Sequence, residues 1–293
     1  MITPPPLCKG DLVAITAPAG PVVAEKLTAG VAALERLGLR VRIMPSCHGA
    51  HGFLAAHDDV RLHDLHEAFA TPQIRAVFAA RGGYGSARLL PRIDFGLIAR
   101  NPKIFAGYSD ITALHIAFNQ ICKLVTFHAP MPAADLFKED ADTLESFVDN
   151  LFAPLRTGNP ATQAPPITGG NLTIIAASLG TPYEIDTRNR LLFMEETNEP
   201  PYKIDRLLTQ LHQADKLKNA AGFILGDFSP ETTETLAQSI NEILTPLNKP
   251  IITGFPAGHT MPNITLPLGA ILSSHQLQTH ARLETAMAHK RPF

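Results

Sequence analysis

The chain has 293 residues, 45% of them hydrophobic and 18% charged, which is enough apolar material for two domains of about 130–150 residues each and excludes disorder. Its 25 basic and 27 acidic residues leave no cationic excess to neutralise phosphates, so neither nucleic acid nor an anionic membrane is expected as a partner. No apolar run approaches the ~18 residues of a bilayer span, and three widely spaced cysteines (Cys8, Cys47, Cys122) make no disulfide framework. The opening MITPPPLCKGD lacks the basic and apolar regions of a secretory signal, so a cytoplasmic protein is expected.

In chain order, Leu12 to Thr16 reads as a strand leading into the Ala17–Pro21 turn, and a helix follows with Val31, Leu34 and Leu37 on one stripe. Leu39 to Ile43 is a second strand. Asp58 to Ala70 is helical, with Val60, Leu62, Leu65 and Phe69 expected to face inward. Ala76 to Ala80 is a buried strand ending at Gly82-Gly83, with a helix expected from Ser86 to Leu90. Lys103 to Ala106 is another strand, followed by Gly107 and a helix from Asp110 to Asn119; Leu124 to Phe127 is one more strand. Strands alternating with helices imply βαβ units and a parallel sheet. Leu151 to Pro166, rich in Pro and Gly, reads as a linker, which divides the chain into 1–150, 151–166 and 167–293. Beyond it come strands at Leu191–Glu195, Gly222–Gly226 and Ile251–Ile252, and short strands between Ile264 and Leu272. Helices are expected at Tyr202–Gln213 and Glu231–Leu244.

Three places could carry chemistry. KIFAGYSDITALHIAF (103–118) sets Ser109 at a sharp strand-to-helix turn, where backbone N–H groups are free to hold an oxyanion. Ser109 or Asp110 could equally be an ordinary helix cap, and Ile111 replaces the second glycine of a G-x-S-x-G elbow. The Arg81–Gly85 turn (RGGYG) also follows a buried strand, and neighbouring parallel strands would bring it beside Ser109. Without a Lys-Ser/Thr pair it is no phosphate loop. Glu195 and Glu196 end an apolar strand, whose alternation aims only one of them at a given face. His259 follows Gly258 on a loop after a strand and suits proton transfer, although a loop histidine is commonly just exposed. The stretch holding Cys47, His48, His51, His57, His63 and His66 lacks metal-ligand spacing, so neither a metal nor another cofactor is expected. His115 is expected to pack against the sheet, and His128 is a rival for the base.

The segments RGGYGSARLLPRID (81–94), GYSDITALH (107–115), GGNLTIIAASLGTPYE (169–184) and LLFMEETNEPPYKIDRLLTQL (191–211) resemble the LD-carboxypeptidases in family order. GFILGDF (222–228), ITGFPAGH (252–259) and TLPLGA (265–270) continue the series, with Glu196 where Asp is usual and Met194 where Leu is common. The resemblance implies a flavodoxin-like N-terminal domain, a smaller mixed α/β C-terminal domain and an active site between them. It implies Ser109 as nucleophile, Glu195 as triad acid and His259 as base, with no metal. Backbone N–H groups of Gly83 and Asp110 are the expected oxyanion donors, and Arg81 is the candidate for a terminal carboxylate. The implied substrate is a murein tetrapeptide, free or as a muropeptide, in peptidoglycan recycling by a homodimer. Two alternatives stand beside it: a family peptidase of peptidyl-nucleotide antibiotics conferring self-immunity, disfavoured by the absence of Trp, and a catalytically inactive binding module.

Overall fold

The computed structural model describes residues 1–138, 140–155, 165–229, 233–272 and the short strand 282–284. The first part alternates β1 (Leu12–Thr16), α1 (Ala24–Arg36), β2 (Arg40–Ile43), α2 (Asp58–Ala70), β3 (Ile74–Ala79), α3 (Phe95–Arg100), β4 (Ile104–Gly107), α4 (Thr112–Gln120) and β5 (Thr126–His128), and closes with α5 (Ala141–Leu151). The second part runs β6 (Ile167–Asn171), α6 (Leu172–Ala177), β7 (Leu191–Thr197), α7 (Pro201–Gln213), α8 (Lys216–Asn219), β8 (Gly222–Ser229), α9 (Glu234–Leu244), β9 (Ile251–Thr253), β10 (Leu266–Leu268) and β11 (Arg282–Glu284).

The first sheet has the order β10-β5-β4-β3-β1-β2. Its β1 to β5 are parallel in the 2-1-3-4-5 arrangement of flavodoxin-like domains, which places ligands beyond the carboxyl ends of the strands. The inner strands β1, β3 and β4 are mostly apolar and buried, as a parallel sheet covered by helices on both faces requires, whereas the edge strand β2 (RVRI) alternates with exposed arginines. The second sheet, β11-β9-β8-β7-β6, keeps β6 to β9 parallel and adds β11 antiparallel.

The two halves exchange structure. β10 leaves the second half to pair antiparallel with β5, so the short strands expected near 264–272 reduce to one that completes the first sheet. In the other direction, Ile116 of α4 packs into the core of the second half, and Asn171 N donates to Thr112 Oγ1 at 3.0 Å. The helix that follows Ser109 is thereby seated against β6.

Several local expectations change. Val60 is 38% exposed, and Arg61 and Asp64 take the inward face of α2. The buried Arg61 guanidinium donates to the carbonyls of Pro18 and Gly85 and to Asp58, while Asp64 accepts from Ser46 N. A charge that caps two buried turns outranks a partly apolar stripe, because unpaired buried carbonyls are costly. The expected helix after Gly85 is a 3-10 segment, Ser86–Arg92, and a further 3-10 turn, Ser109–Ile111, precedes α4. α5, which has no counterpart among the expected elements, carries Thr143, Ser146 and Phe147 inward. Most of the expected linker, 156–164, and the helix start at 231 lie outside the described residues.

Candidate active site

β4 is buried throughout and ends at Gly107, which pairs with His128 of β5. The chain then turns so sharply that Ser109 adopts φ 64°. A non-glycine residue in the left-handed region carries strain of about 1–3 kcal/mol and persists only where its surroundings hold it. Here they do: the Asp110 carboxylate accepts from Ser86 N at 2.8 Å, and the Ser86 hydroxyl donates to Asp110 O at 2.6 Å. Asp110 therefore ties the RGGYG turn to the serine turn instead of capping α4, and burial raises its pKa against those hydrogen bonds.

The two turns are in direct contact. A Cβ on Gly82 would lie 2.8 Å from Ser109 Cβ and 3.0 Å from its Oγ, so only glycine permits this approach. Gly20 N donates to Gly82 O at 3.2 Å and holds the turn from the β1 side. Gly82→Ala is expected to displace the hydroxyl and lower kcat on the order of 100-fold with KM little changed, a split read from steady-state kinetics.

His259 reaches the same place from the second half. Its loop runs close over β7 and β8 because Gly258 needs no room for a side chain: a Cβ there would stand 3.0 Å from that of Asp227 and 3.4 Å from that of Glu195. The His259 Nδ1 lies 2.8 Å from Glu195 Oε2. Glu195 is fully buried, whereas the His259 side chain keeps 19% of its surface open to the cleft. Burial raises the Glu195 pKa, and the bond to His259 only partly offsets it. At His259 burial pulls the pKa down, but the Glu195 bond and charge outweigh it and the net direction is up. The difference follows exposure, since the imidazolium keeps water on one side and the carboxylate has none.

The adjacent Glu196 does something else. Its carboxylate accepts from Asn171 Nδ2 (3.0 Å), Thr173 N (2.8 Å), Thr173 Oγ1 (2.7 Å) and Thr197 N (2.9 Å), bracing the start of α6. A register shift in the β7–β8 pairing between Met194 and Glu196 accompanies this split of two neighbouring glutamates.

Ser109 and His259 line one cavity of about 250 Å³, together with Arg81, Gly82, Gly83 and Lys26. Arg81 also donates to Pro21 O at 3.1 Å, which anchors its guanidinium at the rim. A hydroxyl, an imidazole backed by a buried carboxylate and a cationic rim form a set able to attack an acyl carbon beside an anionic group.

The other candidates have structural occupations. His128 is fully buried between the rings of Tyr108 and Phe193, and desolvation holds its pKa well below the ordinary value. His115 is bonded to Gly107 O at 2.8 Å and its pKa falls to about 4 by burial. In the histidine-dense stretch, His66 accepts from Asp94 N, His63 faces Glu67, and burial pushes the Cys47 thiol up to about 12. Three further buried residues surround the His259 loop: Tyr108, whose ring packs against His259, Asn263, bonded to Gly258, and Asp135, bonded to Asn263. Tyr108 adjoins the serine, and Asn263 interrupts an apolar run; nothing local marks Asp135, whose partner is 128 residues away.

These features define a two-domain α/β protein with a flavodoxin-like first domain and a cleft at the carboxyl edge of its sheet. Residues 13–129 match the LD-carboxypeptidase N-terminal domain and residues 165–273 the LD-carboxypeptidase C-terminal domain, so the chain belongs to the LD-carboxypeptidase family and is a carboxypeptidase. It is 40% identical to the "Probable murein peptide carboxypeptidase" of Bacillus subtilis (strain 168), over 97% of this chain and 95% of that one. Among solved structures, the muramoyltetrapeptide carboxypeptidase from Oxalobacter formigenes is 32% identical with a TM-score of 0.77, covering 88% of this chain and 92% of that one. An MccF-like protein from Bacillus anthracis str. Ames is 27% identical with a TM-score of 0.83, covering 94% and 97%. Among the described residues no helix is long and apolar enough to cross a membrane.

Proposed function

We propose that the protein is a cytoplasmic serine L,D-carboxypeptidase that removes the terminal D-alanine of murein tetrapeptides in peptidoglycan recycling. The observation that carries this reading is the pairing of His259 with the fully buried Glu195, in the cavity that Ser109 also lines. The murein peptide is supported by the names of the B. subtilis and O. formigenes relatives, and a homodimer by the family resemblance alone.

In this reading the Ser109 Oγ attacks the carbonyl of the bond between an L-configured centre and D-alanine, while His259 takes the hydroxyl proton. Glu195 holds Nδ1 protonated, so that Nε2 is the basic nitrogen, and stabilises the imidazolium that forms. Backbone N–H groups of Gly83 and Asp110 would receive the tetrahedral oxyanion, each such donor contributing about 3–4 kcal/mol. His259 then gives its proton to the leaving amine, D-alanine departs, and water resolves the acyl-enzyme by the same steps. Arg81, anchored at the rim, would bind the terminal carboxylate. Incubation of the purified protein with a defined murein tetrapeptide should release D-alanine and leave a tripeptide, both followed by mass spectrometry. An unchanged tetrapeptide would reject the substrate assignment, and cleavage of a peptidyl-nucleotide instead would favour the self-immunity reading.

A further inference from the structure

We propose that Asp135 and Asn263 form a positioning pair that sets His259 against Ser109 across the two domains, a role that rests on the serine-peptidase reading above. Asn263 is completely buried and lies in the His259 loop. Both ends of its amide are engaged: Oδ1 accepts from Gly258 N at 3.2 Å, and Nδ2 donates to Asp135 Oδ2 at 3.3 Å. Its own backbone N–H donates to Thr143 Oγ1 at 2.9 Å, and Thr265 N donates to Ser146 Oγ at 3.0 Å. The loop that bears His259 is therefore fastened to the first half of the chain at Asp135 and at α5.

Asp135 also meets the serine side of the cleft. Its charge faces Tyr108, the residue immediately before Ser109, and adds to the burial that holds the Tyr108 phenol well above its ordinary pKa. The Tyr108 ring in turn packs edge-on against the His259 ring, with centroids 4.9 Å apart and an interplanar angle of 68°. One buried carboxylate thus neighbours the residue before the nucleophile and, through Asn263, is linked to the residue before the base. The triad's own bond does not do this, because Glu195 and His259 both belong to the second half of the chain and their pairing leaves the distance to Ser109 open.

The residue types suit the task. The Gly258 N–H needs an acceptor and the Asp135 carboxylate needs donors, and a carboxamide offers both at adjacent atoms. With Asn263, Gly258 and Asp135 all buried, water is not at hand to replace a missing partner. Asn263→Asp alone would instead set two carboxylates face to face. A reciprocal exchange restores the match. The carboxylate introduced by Asn263→Asp could accept from Gly258 N and from the amide introduced by Asp135→Asn.

The test compares wild type, Asn263→Asp, Asp135→Asn and the double exchange, in two assays. Asn263→Asp should lower kcat for D-alanine release by about 100-fold or more with KM within about threefold, as a misplacement near 1 Å would. The double exchange should recover to within about tenfold of wild type, which ties the loss to the contact between these two residues. The second assay follows phosphonylation of Ser109 by a fluorophosphonate, which needs the serine–histidine geometry but no peptide. Wild type that is never labelled would overturn the serine reading, and the proposal with it. Labelled wild type with Asn263→Asp labelled at the same rate would overturn the positioning role alone. If Asn263→Asp does not fold, the double exchange decides: labelling and turnover near wild type support the pair, and loss of both in the folded double variant contradicts it.

Discussion

Ser109→Ala is expected to lower kcat by about 10⁴-fold or more while the fold persists. Members of a triad act as a unit, so loss of the nucleophile should cost nearly as much as loss of several members together. Steady-state D-alanine release measures the first part, and thermal melting by circular dichroism the second. Alanine keeps a Cβ at φ 64°, so the strain of the turn stays and the melting temperature should change little. Ser109→Gly should be equally inactive but more stable by about 1 kcal/mol, because glycine enters that region without strain. His259→Ala is a less clean probe. It would strand the buried Glu195 without its partner, and a broken buried pair costs about 3–5 kcal/mol, so lost activity would be mixed with lost stability. Activity of Ser109→Ala within tenfold of wild type would exclude the serine as nucleophile.

Glu195→Gln should lower kcat by about 10⁴-fold, whereas Glu196→Gln should stay within tenfold and lose about 1–3 kcal/mol of stability. The contrast follows from the bonds: Glu195 faces Nδ1 of His259, while Glu196 braces Thr173 and Thr197. The pH dependence has a definite sign. A base must be neutral, so kcat/KM rises with pH through the pKa of His259, which the Glu195 bond and charge lift above the ordinary histidine value despite burial. Removing that charge lowers the pKa, and the acid limb of residual activity should move to lower pH. A dead Glu196→Gln beside an active Glu195→Gln would shift the assignment by one residue.

Inner strands of the first sheet such as β3 and β4 were legible because buried parallel strands are short apolar runs between turn signals, as in AVFAA and KIFA. α5 was not, since its inward face includes Thr143 and Ser146, whose hydroxyls serve the His259 loop rather than a core. Val60 was misplaced for a related reason: the inward position went to an arginine that two buried carbonyls demanded. At the site, alternation separated Glu195 from Glu196 in principle, but the choice between them depended on where His259 came down, a contact across 64 residues. The return of β10 to the first sheet left no mark in its own sequence, because LPL is apolar wherever it lies.

Cleavage after an L centre and before a terminal D centre is decided by peptides that differ only at that terminal centre. The tetrapeptide ending in D-alanine, its L-alanine epimer and the pentapeptide ending in D-alanyl-D-alanine should be assayed side by side for alanine release. Inverting the terminal centre exchanges methyl and carboxylate about a fixed scissile bond, so the carboxylate loses its partners or the methyl enters a polar site. A polar group left unpaired in this way costs enough for a preference of about 100-fold in kcat/KM. Rapid cleavage of the first peptide is expected, with at least ~100-fold slower cleavage of the epimer and poor cleavage of the pentapeptide. Comparable rates for the two epimers would contradict the L,D-specific reading.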